Sequence, residues 1–412
     1  MDHCMPQHTW AIALLLITSA AMASDDGWTR FRGPNGSGVT GASAPTQWSE
    51  SDYRWKIELP GEGHSSPVLH RDRIYITATN PDTAEQWLIR VDATAGRVAW
   101  TYSLQSRPYS KHRYNSFASA TPAVDDRHIY LPVSSAERYE LVAVSHDGKE
   151  AWRHDLGPYV AQHGSAASPI LYKDSVIFPN DQDGESFVIA LKRSDGAVKW
   201  KTPRASGRAA YGTPCIYTGS DGRDQLILSS HASGVTALDP VTGKLIWEVP
   251  DVFKDRTVFS PTVAGDLVVA GAGEGAGGKK LIAIRPGSFD GSAEPRVVYE
   301  MDKALPYVPT PLYYQGLLFL LADGGIVSCF DAATGELKWR ERIGGDHFAS
   351  PVCAAGVLYC VTRDGVVTTL RAANQYEPIA RMPLGDPSHA TPAFADGSIY
   401  LRTEKYLVRI GQ

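Results

Sequence analysis

Short apolar runs, rich in β-branched and aromatic side chains and separated by polar turns, recur from about residue 52 to the end of the chain. RIYIT, HIYLP, VIFPN, LILSS and LLFLL are each followed by a second run: LIRVDA, ELVAVS, FVIALK, GVTALD and IVSCFD. No stretch sustains the 3.6-residue period of an amphipathic helix, so the pattern predicts an all-β chain of short paired strands.

The runs belong to a repeat. Each unit opens with Ser or Thr followed by Pro, at Ser66, Thr121, Ser168, Thr213, Ser260, Thr310, Ser350 and Thr391. The intervals are 55, 47, 45, 47, 50, 40 and 41 residues, the period of four-stranded propeller blades. Between units stands a turn that ends in tryptophan: DATAGRVAW to Trp100, DPVTGKLIW to Trp247 and DAATGELKW to Trp339, with looser copies ending at Trp152 and Trp200. Asp accepts local backbone hydrogen bonds, Gly takes positive φ, and the Trp is expected on an outer strand, covering the seam between blades. Proline suits the first residue of an innermost strand, because it cannot donate to a ladder.

Eight openings predict eight blades, the last of which supplies only three strands before Gln412. DYRWKIELPG carries Trp55 eleven residues before Ser66, as Trp339 stands eleven before Ser350. The N-terminal strand is therefore expected to complete the last blade and remove the free edges. The expected organisation is a signal peptide over 1–23, a lead-in over 24–51 and a propeller over 52–412.

This repeat, covering 52–412, resembles the pyrroloquinoline-quinone (PQQ) repeat family of β-propellers. The lead-in WTRFRGPNGSG followed by GEGHSSP is similar in style to exported single-domain PQQ-like propellers. The family includes quinoprotein alcohol dehydrogenases, which hold PQQ and Ca²⁺ in the central funnel, and cofactor-free protein-binding propellers of the BamB type. The resemblance implies for the enzymes an adjacent cysteine pair and a carboxylate, an amide and an Asp on the metal. The chain has no Cys-Cys pair, and that trio finds no matching positions. No cofactor is expected, with PQQ and Ca²⁺ as the alternative.

An apolar run over residues 10–23 ends in Ala-Met-Ala and reads as a cleaved export signal, too short to span a bilayer. The product is expected to be periplasmic or secreted, without a membrane span, and monomeric. Cys215, Cys329, Cys353 and Cys360 lie in strand-like runs without C-x-x-C spacing. Buried free thiols or one disulfide are both open readings. The formal net charge of −5 gives no electrostatic case for nucleic acid.

GAGEGAGG, 271–278, has dinucleotide-like spacing but precedes a strand, so a flexible loop is expected; GPNGSGVTG, 33–41, lacks the P-loop Lys and reads as turns. Two features remain as site candidates. The long link from Trp100 to Thr121 carries Arg107, Lys111, Arg113 and Tyr114. Histidines stand near four Ser/Thr-Pro openings: His64, His163, His347 and His389. Links into innermost strands cluster at one mouth of a propeller, so these form a rim for a ligand or partner, with His64, His347 and His389 as metal-ligand candidates. The alternative is that these histidines cap backbone groups. The function expected is an exported, non-catalytic binding or scaffold module with a protein or glycan partner. A quinoprotein-like oxidoreductase and a sensor module of a signalling system are the rivals.

Overall fold

The Asp-x-x-Thr-Gly turns take the shape their residues require. Asp92 Oδ1 accepts from the N–H groups of Thr94 and Ala95 at 3.0 and 2.8 Å, and Gly96 then reverses the chain at φ 62°. On the strand that follows, a register shift falls immediately before the tryptophan: Arg90 pairs with Trp100, but Val91 pairs with Val98. The same slip precedes the equivalent position in every blade. A bulge re-aims the side chain it precedes, and here it turns the ring toward the neighbouring blade.

That neighbour receives it on glycine and carbonyl. Trp100 Nε1 donates to the His146 carbonyl at 3.0 Å, Trp152 to Arg193 at 2.9 Å and Trp200 to Pro240 at 3.3 Å. Trp339 donates to Ala373 at 2.9 Å, and Trp55 to Ala93 at 2.9 Å. In blade five Tyr299 takes the role with its hydroxyl on the Ala332 carbonyl. Trp247 reaches blade five through Gln225, whose amide donates to Gly287. Each aromatic thus ties its blade to the next.

The computed structural model describes Met1 and residues 27–205, 207–275 and 277–411. Apart from Met1, the expected signal peptide lies outside the described residues. Blade one runs Val68–His70, Arg73–Thr79, Gln86–Asp92 and Arg97–Leu104. Blades two to seven follow over 123–157, 170–204, 215–249, 262–301, 312–342 and 352–383. Blade eight joins Ala393–Ala395, Ser398–Arg402 and Tyr406–Gly411 to Tyr53–Glu58, with Trp55 opposite Arg409 and Ile57 opposite Leu407. The expected eight-bladed, all-β ring closed by its N-terminal strand is the observed fold. Among the described residues no helix is long and apolar enough to cross a membrane.

The core lies in the seams. Each buried cluster combines facing residues of adjacent blades, such as Val176 and Phe178 of blade three against Tyr130 and Leu141 of blade two. Cys215, Cys329, Cys353 and Cys360 are free and buried within the strands.

At the axis, the prolines immediately precede the innermost strands, and the hydroxyls before them link the blades. The Ser66 N–H donates to Thr121 Oγ1 at 2.9 Å and Thr121 N–H to Ser168 Oγ at 2.9 Å. The same bond links Thr213 to Ser260, Ser260 to Thr310 and Thr310 to Ser350. Ser350 N–H to Thr391 and Thr391 N–H back to Ser66 follow at 3.0 and 3.1 Å, joining the last blade to the first. A hydroxyl in these opening positions is needed because it accepts the preceding blade's backbone donor.

Two expectations from the sequence are corrected. The stretch 271–278 is mostly strand, within Leu267–Glu274 and Gly277–Arg285. Gly271 serves close packing: a β-carbon there would stand 2.5 Å from Phe259 Cζ. The stretch 33–41 is more than turns, because Val39–Thr40 pairs in parallel with Val352–Ala354 as a fifth strand of blade seven. The lead-in crosses the base of the channel. Its carbonyls at Trp28, Thr29 and Gly38 accept from Leu69, Val124 and Cys353, in blades one, two and seven. Arg30 donates to the Pro214 carbonyl at 2.6 Å, and the fully buried Arg32 donates to Thr310, Pro311 and Ser37 carbonyls.

Candidate functional site: the open mouth of the funnel

With the lead-in across one end, the axial cavity opens at the other. It holds about 1120 Å³, and its wall runs from Phe31 of the lead-in past the Ser/Thr ring to the mouth. Two sets of loops build the mouth: the links into the innermost strands, and the hairpins between second and third strands. A contiguous pocket of about 890 Å³ widens it beside blades six to eight.

Arg363, from the blade-seven hairpin, organises this side. Its guanidinium lies 3.9 Å from the centre of the Tyr114 ring and 4.8 Å from that of Phe348. Those two rings meet edge to face at 5.6 Å. Arg363 also approaches Asp346 at 3.6 Å and donates through Nε to His389 Nε2 at 3.3 Å. With that lone pair occupied, the His389 proton sits on Nδ1, which lies 2.8 Å from His64 Nε2. The two imidazoles pack at right angles, centres 4.2 Å apart. Burial and the Arg363 charge push His389 down to about 4, and burial with the His389, Arg402 and Lys111 charges pushes His64 well below its usual range. The pair is neutral at ordinary pH, in a chain of donors running from Arg363 to His389 to His64.

Of the residues singled out in the sequence, the structure brings His64, His389, Lys111, Arg113 and Tyr114 to this pocket. Lys111 caps the Asn115 carbonyl at 2.7 Å, and Arg113 lies over the Tyr114 ring at 4.6 Å. His163 lines the opposite wall of the axial cavity, its ring 5.1 Å from that of His112. Arg107 stands outside, in an exposed ion pair with Glu137. His347 does not join the other two. It is fully buried, with Nδ1 2.9 Å from the Val361 carbonyl and Nε2 3.1 Å from that of Gly344. It braces the loop behind the mouth, and Glu404 stands in the place expected for it.

His64, His389 and Glu404 place one ligand atom each within 4.8 Å of one another. Their surroundings oppose a cation. The facing nitrogens are engaged with each other, and Arg363, Arg402 and Lys111 surround them with positive charge. In the blade-five and blade-six hairpins of the mouth, the carboxylates are committed to cations: Asp323 to Lys279 at 2.6 Å, and Glu274 to Arg208.

The sequence reading missed Arg363, Phe348 and the lead-in floor. A comparison of equivalent hairpins carries a signal for the first: LADGG in blade six aligns with VTRDG in blade seven, which places Asp323 and Arg363 at one position of the mouth. The residues between paired strands carry no repeat constraint, so a departure there marks a site rather than the scaffold.

Comparison with known proteins adds the family. The model described as outer membrane protein assembly factor BamB matches residues 54–214 and 303–375, more than half of the chain. The protein of that name from Yersinia pestis is 22% identical over 287 residues, 68% of this chain and 58% of that protein. The chain spans just under three fifths of the length of the two curated relatives of that name. The crystal structure of BamB from Moraxella catarrhalis overlays with a TM-score of 0.64 at 16% identity, covering 87% of this chain and 97% of that one. A quinohemoprotein alcohol dehydrogenase from Comamonas testosteroni overlays at 0.66 with 14% identity, covering 95% and 81%. At these identities both likenesses speak for the fold. The chain belongs to the PQQ-like β-propeller family whose model carries the description outer membrane protein assembly factor BamB.

Proposed function

We propose that the protein is an exported, non-catalytic scaffold that works beyond the cytoplasmic membrane and holds a protein partner over the open mouth of its funnel. One observation carries this reading: the ring is crossed at its base by its own lead-in, while the other end presents the Tyr114–Arg363–Phe348 shelf to solvent-filled space. Stacked aromatic and guanidinium groups of this kind anchor protein interfaces. The relatives named as assembly factors give the reading its direction.

A glycan is the second partner chemistry. The half-buried rings of Tyr114 and Phe348 favour it, since sugar faces stack on such rings as well. Neither PQQ nor Ca²⁺ enters this reading. Support for leaving them out comes from the funnel carboxylates, each held by a lysine or arginine where a hard cation would need them free. Dye-linked alcohol oxidation after incubation with PQQ and Ca²⁺ would overturn the scaffold reading in favour of the enzyme.

The direct test is photo-cross-linking in cells. A benzophenone amino acid at the Arg113 position should give a discrete adduct with a protein of the cell envelope. The same group at the exposed Asp195 position, on the outer turn of blade three, should give none. Equal adducts at both positions, or none at Arg113, would remove the mouth as the partner surface.

A further inference from the structure

The protein carries a net charge of −5, yet the axial funnel has the opposite balance. Five cations line it, Arg113, Arg208, Arg256, Lys279 and Arg363, against three carboxylates, Glu274, Asp323 and Asp346. The carboxylates are accounted for by Arg208, Lys279 and Arg363 respectively. Arg113 and Arg256 are left over, an excess of two positive charges inside a concave, partly desolvated wall. Such a wall focuses its field on anions that enter it.

Arg256 is the unusual member. It is 5% exposed, and a buried guanidinium normally finds a carboxylate. Among the described residues it has no ion pair. Nη2 donates to Gln162 Oε1 at 3.1 Å, while the buried Nε has no partner. Arg256 is held in place through its own backbone, whose carbonyl accepts from the Gly273 N–H at 3.0 Å. Beside it, the N–H of Tyr211 donates to the Thr257 carbonyl at 3.2 Å, and the buried Tyr211 hydroxyl is also unpartnered. Tyr307 interacts with Arg256 from the blade-five side. All three line the funnel. A guanidinium and phenol hydroxyls of this kind match a planar carboxylate.

We propose that the funnel takes an acidic peptide segment of the partner, with one carboxylate seated on Arg256 and Tyr211 and the flanking residues running out over the Tyr114–Phe348 shelf. This rests on the partner reading and supplies its chemistry: an Asp, a Glu or a chain terminus carries the charge, and a cavity of about 1120 Å³ leaves room for the residues on either side. Phosphate would use the charge but leave the shelf empty.

The test is calorimetric titration of the intact protein with an acetylated Gly-Ser-Glu-Ser-Gly amide, its Gln counterpart and inorganic phosphate. The Glu peptide should bind at least about tenfold more tightly than the Gln peptide, the scale of a charge-assisted hydrogen bond. Arg256→Gln and, separately, Tyr211→Phe should each weaken the Glu peptide, the former by about tenfold or more, and Arg107→Gln should not. If Arg256→Gln fails to fold, Tyr211→Phe decides, since it removes a hydroxyl alone. Equal binding of the two peptides, phosphate binding without peptide binding, or unchanged affinity in both funnel variants would overturn the proposal. The two readings fail separately. A mouth that cross-links a partner but ignores the peptide keeps the scaffold and loses this site. A peptide that needs Arg256 without any partner adduct keeps the site and loses the scaffold.

Discussion

The indole of Trp152 lies on Gly196 of the next blade, so closely that a β-carbon there would stand 2.7 Å from Trp152 Cε3. Gly196 also has φ 72°, so the turn and the packing both require glycine. The two requirements can be separated. Gly222 has φ 76° but nothing within 4 Å of its would-be β-carbon. Gly222→Ala should therefore cost about 1–2 kcal/mol from left-handed backbone strain alone, and Gly196→Ala a further 1–3 kcal/mol from overpacking. Urea midpoints compare them, and equal losses would contradict the docking role of the Trp–Gly pair.

Ring closure rests on Tyr53–Glu58 pairing with Tyr406–Gly411. Trp55→Ala removes the ring that packs near Tyr400 and donates to Ala93, and should cost about 3–5 kcal/mol. Deleting residues 53–58 should abolish the cooperative melt. An unchanged melting temperature in the deletion would mean the ring does not need this strand.

The floor of the funnel depends on Arg32, fully buried and, among the described residues, without a carboxylate partner; burial pushes its guanidinium down to about 9. Three carbonyls of the lead-in and blade six accept from it. Arg32→Ala leaves those acceptors unpaired and opens a cavity, so a loss of about 3–5 kcal/mol is expected. The corresponding surface change, Arg107→Ala, should move stability by less than about 0.5 kcal/mol. Thermal unfolding of both variants distinguishes a structural floor from a loosely laid segment.

The His64–His389 pair sets a pH dependence whose sign follows from its neutral state. In the unfolded chain both imidazoles protonate near about 6.5, whereas in the fold His389 is pushed down to about 4 and His64 well below its usual range. The unfolded chain binds more protons between those values, so stability held above about pH 6.5 is lost as pH falls toward about 4. His64→Asn combined with His389→Asn should flatten that acid limb in urea titrations at about pH 7.5 and about pH 5. A limb as steep as in the wild type would assign it to other buried histidines.

The scaffold was legible because it repeats. Ser/Thr-Pro opens every blade and the Trp turn recurs in five of them, each recurrence doing the same mechanical work, and the spacing of Trp55 from Ser66 exposed the closing strand. The floor was not legible, since residues 27–46 meet blades one, two, four, six and seven through a segment that has no second copy to align. The site fell between. Position in the links pointed to His64 and His389 at one mouth, where their rings pack together, but His347 occupies the same kind of link and turns inward to backbone carbonyls. Side-chain direction at a link is set by tertiary packing, which spacing does not encode. Arg256 gave no signal at all, because an arginine in a link reads as solvated until burial is known.

In the proposed function the open mouth, and not the outer edge of the ring, engages the partner. The dissociation constant of the protein cross-linked through the Arg113 position, measured for wild type, Tyr114→Ala and Leu245→Ala, tests it most directly. Tyr114 forms the shelf with Arg363, while Leu245 is 54% exposed on the outer strand of blade four. Tyr114→Ala should weaken binding by about tenfold or more, as loss of an aromatic anchor does, with melting unchanged, and Leu245→Ala should bind as the wild type. Undiminished affinity in Tyr114→Ala, or a loss confined to Leu245→Ala, would contradict it.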